Sequence, residues 1–173
     1  YAPDGKLVAE SGDTRQVVTL AEAGLLCNDA ALIERNGQWQ DEGDPTEGAL
    51  VTLAARAGID PGRTRASMSR LDVIPFDPAY RYMATLHEQD AATVAMVKGA
   101  PEVLLPACAS VDEQPFDEAR WQNEVDRLAS RGMRTLAVAR KRLAGGLQEL
   151  NQEDLLNGLE LLGLVAIMDP PRD

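Results

Sequence analysis

Histidine is almost absent from this chain, cysteine is scarce and positive charge is in short supply. The 173 residues hold one histidine, His87, and two cysteines, Cys27 and Cys108, while 17 lysines and arginines face 28 acids for a formal net charge of −11. With a single histidine, Ser-His-Asp and Cys-His nucleophilic arrangements have almost nothing to draw on, and His87 reads as a solvent-facing residue on a strand. One histidine and two separated cysteines cannot make a tetrahedral zinc site. The cysteines are too few for a disulfide framework, sit in apolar stretches that read as helical, and suit a reducing cytosol. The acidic balance argues against a nucleic-acid backbone or an anionic membrane as partner, because both need a basic face. No apolar run approaches the roughly 18 residues that cross a bilayer, and the N-terminal stretch does not read as a signal peptide. No two glycines stand at i and i+2, so the Gly-x-Gly dinucleotide loop is missing. Gly5-Lys6 is followed by Leu7, so there is no Walker phosphate loop. Carboxylates are plentiful, but abundance does not identify a glycosidase pair. These absences leave an acidic domain without a self-contained catalytic apparatus.

What is present is ordinary for a globular protein: 45% hydrophobic and 26% charged residues, in a length suited to one domain with a sizeable core. "TLAEAGLLCNDAALIER" reads as a helix, with Thr19 as N-cap and Glu22 completing a capping box. "DPTEGALVTLAARAG" reads as a second helix, capped by Asp44, with Pro45 at the first position and Gly58 past the end. Its Leu50, Leu53, Ala54 and Ala57 form one apolar stripe. "RLDVIPF" and "RYMATLHE" read as strands joined by a turn at "DPAY", followed by a strand "TVAMV" that stops at Lys98-Gly99. Pro101 then opens a short helix. "FDEARWQNEVDRLASRG" is helical, with Trp121, Val125 and Leu128 on one face and Gly132 beyond its end. "RTLAVARK" and "LELLGLVAIM" are strands, separated by a polar excursion over residues 143–158. Strands grouped in the middle of the chain predict an α+β fold, a mostly antiparallel twisted β-sheet covered by helices.

One feature is unexplained by local structure: a lysine, Lys98, against a glycine at the end of an apolar strand. It falls in one of six motifs, "LCNDA" (26–30), "GDPTEGAL" (43–50), "FDPAYRYM" (76–83), "KGAPE" (98–102), "RGMRTLAVA" (131–139) and "DPPRD" (169–173). In this order and spacing the chain resembles the nucleotide-binding domain of P-type cation-transporting ATPases, closest to the calcium-pump branch and its bacterial relatives. The resemblance implies one nucleotide-binding domain over residues 1–173, with 169–173 the hinge back toward a phosphorylation domain. It implies ATP as ligand, gripped by its adenine end. Phe76 matches the phenylalanine on which the base stacks, Glu47 the acceptor of the adenine amine with Thr46 beside it, and Lys98 the lysine lining the pocket with Gly99 and Ala100. Arg134 and Leu136 match positions meeting the ribose and phosphates, Arg81 a basic residue on the stacking strand, and Met83 points into the same pocket. Read without the resemblance, Phe76 is also a core aromatic ahead of a turn, Glu47 a capping acid and Arg134 a solvated residue at a strand start. The chain departs from the family pattern at Pro78, where a basic residue or serine is usual, and at Tyr80 and Tyr82.

The phosphorylated Asp-Lys-Thr-Gly-Thr string is absent. The resemblance therefore implies a non-catalytic, monomeric cytosolic piece of a pump in the cell membrane, with its partners the phosphorylation and actuator domains of the same polypeptide. Its membrane segments lie elsewhere, and Mg²⁺ accompanies the nucleotide in the full pump. The same residues leave open a free-standing adenine-nucleotide sensor and an interaction module that has lost its ligand. The expected affinity is weak and base-dominated, on the order of millimolar or about −4 kcal/mol.

Overall fold

A computed structural model of the protein describes residue 8 and residues 14–35, 38–89 and 92–168; the "DPPRD" motif at 169–173 lies outside them. The first helix, α1 (Thr14–Leu26), is followed by a hairpin of β1 (Ala31–Arg35) and β2 (Gln38–Glu42). Helix formation therefore stops earlier than the apolar run Ala31-Leu32-Ile33 predicts, and it starts earlier than the predicted capping box. Thr19 is interior to α1, and its hydroxyl donates back to the Arg15 carbonyl at 3.0 Å. Asn28 ends the helix. Its amide Nδ2 takes the Gly24 carbonyl at 3.3 Å while its Oδ1 accepts from Ala30 N at 2.8 Å, which turns the chain into β1.

Helix α2 (Pro45–Arg56) begins as its sequence requires. The Asp44 carboxylate accepts from the backbone N–H of Thr46 at 2.8 Å and of Glu47 at 3.4 Å, and Pro45 fills the first position. The same Asp-Pro signature recurs at Asp60-Pro61 and starts α3 (Pro61–Ser67), a helix absent from the sequence reading, where Asp60 accepts from Arg63 N at 2.8 Å.

The main sheet runs in the order β3-β4-β5-β8-β9-β6-β7, and among the described residues it has seven strands. These are β3 (Arg70–Ile74), β4 (Tyr82–Gln89), β5 (Ala92–Gly99), β6 (Cys108–Val111), β7 (Gln114–Pro115), β8 (Arg134–Leu143) and β9 (Leu159–Ile167). All neighbouring pairs are antiparallel except β6 with β9, which is parallel. The α+β architecture read from the sequence is the one found. Strand β5 continues through Lys98 and Gly99, which pair with Val138 and Ala137 of β8. Cys108 opens β6 rather than sitting in a helix, and Cys27 follows the last turn of α1.

Helices cover both faces. Alternation along β4 and β5 sends Met83, Val94 and Met96 to the face packed by Ala23 and Leu26 of α1. Ala84, Leu86, Ala95 and Val97 go to the other face, under Leu104 of α4 (Pro101–Leu104), Leu105 of the following 3₁₀ turn, and Trp121 and Val125 of α5 (Glu118–Ala129). Leu25 and Leu26 of α1 are 0% and 1% exposed, and burying each stabilises the fold by about 1.5–3 kcal/mol. Gly163, at φ +149°, sits opposite a register shift between Val138 and Ala139, and a Cβ there would lie 2.6 Å from the Leu20 side chain. A glycine at that bulge lets α1 lie close on β9.

His87 is not solvent-facing. It is 2% exposed, with Nδ1 3.0 Å from the Met68 carbonyl and Nε2 2.9 Å from Thr85 Oγ1. Burial is the main cause that lowers its pKa below the usual value, and the Arg70 charge acts in the same direction.

Candidate functional site

The site forms where three strand ends come level. The start of β4, the end of β5 and the start of β8 are aligned by their registers: Met83 pairs with Lys98 and Lys98 with Val138, Tyr82 with Gly99 and Gly99 with Ala137. The first turn of α2 stands over them. Together they enclose a cavity of about 560 Å³, a size typical of small-molecule sites.

All ten positions singled out in the sequence line this one cavity: Thr46 and Glu47 from α2, Phe76 and Arg81 from the β3–β4 connection, Met83, Lys98, Gly99, Ala100, Arg134 and Leu136. Three further residues line it, Asp29, Asp44 and Thr135. Asp29 lies inside the "LCNDA" motif and Asp44 was assigned only a capping role, so a signal existed for both. Thr135 carries none beyond its place between Arg134 and Leu136, and its buried hydroxyl has no hydrogen-bond partner among the described residues.

The local structure accounts for each placement. On the α1 face of β5 the apolar series Val94, Met96 ends at Lys98, where α1 has already stopped. The Lys98 side chain is 8% exposed, and its Nζ meets Glu47 Oε1 at 2.5 Å, with the Glu47 side chain 18% exposed. The lysine is there to carry a buried charge pair at the strand's end. Glu47 does not cap its own helix, since Asp44 does; its second oxygen, Oε2, accepts from Asp29 N at 3.3 Å. Asn28 Nδ2 donates to the Glu47 carbonyl at 2.9 Å, which ties the "LCNDA" loop to the same turn.

The "DPAY" turn presents the aromatic. Asp77 Oδ1 accepts from Ala79 N at 2.7 Å, and the Asp77 carbonyl accepts from Tyr80 N at 3.1 Å. Arg81 follows at φ +57°, a left-handed conformation that costs a non-glycine residue about 1–2 kcal/mol, and its carbonyl is taken by Ala100 N at 2.9 Å. That close approach needs Gly99: a Cβ there would lie 2.6 Å from the Arg81 oxygen. The turn leaves Phe76 60% exposed at the cavity, so it is not a core aromatic. The Arg81 guanidinium pairs with Glu102 at 2.7 Å, both side chains being half exposed. Arg134 donates from Nη1 to Thr46 Oγ1 at 2.9 Å, joining β8 to α2 across the cavity.

Three cations, Arg81, Lys98 and Arg134, and three carboxylates, Asp29, Asp44 and Glu47, line the cavity, with Arg81 and Asp29 each paired outward, to Glu102 and Arg70. The cavity is locally neutral on a chain of net charge −11. Cys27, beneath it, donates its Sγ–H to the Met83 carbonyl at 3.3 Å. Burial pushes that thiol up to about 11, which makes it a packing residue rather than a nucleophile.

The family described as "P-type ATPase, cytoplasmic domain N" matches residues 16–173. The chain belongs to that family. This N domain is similar to the cation-transporting ATPase pma1 of Synechocystis, at 42% identity over 154 residues covering 86% of the chain and 17% of the relative. It is 39% identical over 184 residues to the probable cation-transporting ATPase F of Mycobacterium tuberculosis, covering 99% of the chain and 20% of that protein. It is 34% identical over 158 residues to a calcium-transporting ATPase of Bacillus subtilis, covering 86% of the chain and 18% of the relative. The N domain thus spans about a fifth of the length of these relatives. Among its described residues no helix is long and apolar enough to cross a membrane.

Proposed function

We propose that this N domain binds ATP by its adenine end, as the cytoplasmic nucleotide-binding part of a membrane pump that couples ATP hydrolysis to cation transport. The observation that carries the reading is the convergence of an exposed aromatic, Phe76, and a buried Lys98–Glu47 pair on one locally neutral cavity. An aromatic face left open to solvent offers about 1–3 kcal/mol per stacked base. Lys98 meets one Glu47 oxygen and Asp29 N–H the other, and the carboxylate keeps further lone pairs to accept from the adenine amine. Guanine places a carbonyl oxygen there, acceptor against acceptor, and is rejected. Met83 forms the apolar floor, and Gly99 and Ala100, which line the same cavity, wall the ring. Leu136 supports the ribose side, with Arg134 and Thr46 toward the phosphates. Arg81, engaged with Glu102, contributes less there.

With three cations matched by three carboxylates, most of the affinity comes from the base. Mg²⁺ accompanies the phosphates. Aspartyl-phosphate formation belongs to a phosphorylation domain of the same polypeptide, beside an actuator domain and membrane segments, and the N domain itself hydrolyses nothing. The calcium-transporting relative favours Ca²⁺ as the transported ion.

Titrating ATP, ADP, AMP and GTP against the ¹⁵N-labelled domain tests this. The expected result is similar affinity near about 1 mM for the three adenine nucleotides and at least about tenfold weaker binding of GTP. Equal affinity for GTP, or affinity that climbs steeply from AMP to ATP, would contradict it.

A further inference from the structure

Behind the "LCNDA" loop lies a second, polar depression of about 270 Å³, lined among others by Arg65, Arg70 and His87, and Asp29 borders both cavities. The loop is thus a thin partition. On the cavity side its Asp29 N–H holds Glu47 Oε2. On the far side two guanidiniums grip its backbone. Arg70 Nη2 donates to the carbonyls of Leu26 at 3.2 Å and Asn28 at 2.8 Å, and its Nη1 donates to Asp29 Oδ1 at 2.6 Å. Arg65 Nη2 donates to the carbonyls of Ala30 at 2.9 Å and Asn28 at 3.5 Å.

We infer that Arg65 and Arg70 are positioning residues for base selectivity: they hold the partition so that Asp29 N–H orients the Glu47 carboxylate. The inference rests on the ATP-binding reading above.

Two observations favour this over simple loop anchoring. One guanidinium donor already satisfies the buried Asn28 carbonyl, so anchoring alone does not require two arginines to meet there. Here both converge on the single Asn28 carbonyl, and the neighbouring Arg70 charge, added to burial, lowers the pKa of Arg65. Like charges brought together oppose folding, so the arrangement has a cost that bare anchoring does not need. The bond being protected is also marginal. At 3.3 Å, the Asp29 N to Glu47 Oε2 contact is near the outer limit of a hydrogen bond. A retreat of the loop by a few tenths of an ångström releases that oxygen, and the carboxylate then turns about its remaining contact with Lys98. The acceptor offered to an adenine amine is no longer fixed in direction.

The two arginines differ in a way that separates orientation from charge. Arg70 also neutralises Asp29, so its loss leaves an added negative charge in the lining and weakens all nucleotides. Among the described residues Arg65 hydrogen-bonds only carbonyls and its charge reaches Asp29 and Glu47 through space without contact, so its loss acts chiefly on orientation.

The test is the ratio of ATP to GTP affinity in Arg65→Met and Arg70→Gln, measured by the same titrations on the whole chain, with Arg65→Gln as a second variant should Arg65→Met fail to fold. Arg65→Met, or Arg65→Gln in its place, is expected to weaken ATP about fivefold, the equivalent of one net hydrogen bond, and leave GTP unchanged, with faster exchange at the Asp29 amide. Arg70→Gln is expected to weaken both nucleotides and to narrow the ratio as well. If the unaltered chain does not prefer ATP, the ATP-binding reading itself fails. If it prefers ATP and the Arg65 variants keep the ratio, or lose both nucleotides in parallel, the positioning role is overturned.

Discussion

Replacing Lys98 by methionine keeps the length of the side chain and removes its charge. The Lys98 and Glu47 side chains are 8% and 18% exposed, and their charged atoms are in direct contact. Removing one partner of a fully buried pair costs about 3–5 kcal/mol, because the other charge is left without compensation. Glu47 is better placed than that limit: it borders the open cavity and keeps the Asp29 N–H. Partial hydration through the cavity and one retained hydrogen bond reduce the expected loss to about 1–3 kcal/mol. For a chain of this length each 1 kcal/mol lowers Tm by about 2–4 °C, so Lys98→Met should melt roughly 4–8 °C below the parent for a mid-range 2 kcal/mol. The double variant Lys98→Met, Glu47→Gln removes the stranded charge while the amide oxygen still accepts from Asp29 N. It should recover at least half of the loss. Thermal unfolding followed by circular dichroism measures all four proteins of the cycle. A Lys98→Met chain as stable as the parent, or a double variant that melts below Lys98→Met, would refute the claim that the pair is held as a buried charge couple.

Three further perturbations have defined outcomes. Phe76→Ala should weaken ATP about 5- to 150-fold while moving Tm by only a few degrees, because the ring is already 60% exposed; nucleotide titration and melting curves on one sample check both, and unchanged affinity would remove Phe76 from the site. Gly99→Ala places a Cβ 2.6 Å from the Arg81 oxygen and from Tyr82 Cβ, so β4 and β5 must part at the cavity mouth; a loss of about 1–3 kcal/mol is expected in denaturant unfolding, with amide shifts at Met83 and Lys98, and a parent-like spectrum would contradict it. His87 is buried with a lowered pKa, so the unfolded chain takes up its proton first: stability present above about pH 6.5 should fall as the pH drops below it, and the His87→Gln chain should lack that part of the slope.

The parts of the fold that were legible in the sequence are those set by local chemistry. Asp44-Pro45 starts α2 as its cap and first residue demand, and the alternation of Met83, Thr85 and His87 against Ala84 and Leu86 makes β4 a strand with two covered faces. That same alternation puts His87 on the face of buried Thr85 and Met83, although a lone polar ring on a strand reads as solvent-facing; Met68 and Thr85 supply the hydrogen bonds that let it be buried. The end of α1 departs from its apolar pattern for a comparable reason. Ala31, Leu32 and Ile33 continue an apolar period, but a single side chain, Asn28, takes the Gly24 carbonyl and stops the helix. Nothing in the periodicity marks that. Helix α3 repeats the Asp-Pro start at Asp60 and was recoverable. The parallel β6–β9 pair depends on a long-range pairing that no local pattern encodes.

For the candidate site, the six-motif resemblance identifies positions that the fold brings around one cavity. What the resemblance did not contain is the connection between them. Thr46 and Arg134 are bonded across the cavity, Glu47 is divided between Lys98 and Asp29, and Arg65 and Arg70 hold the partition from behind. Those links join residues far apart in the chain, and only the folded registers bring them together.

The central claim is that the purine lies on the Phe76 ring with its amine toward Glu47. Intermolecular nuclear Overhauser effects between ATP and the labelled domain measure this directly. Contacts are expected from adenine H2 and H8 to the Phe76 ring protons and to the Met83 methyl group. Contacts confined to other residues, or base protons that touch nothing while the phosphates alone perturb Arg134 and Thr46, would contradict it.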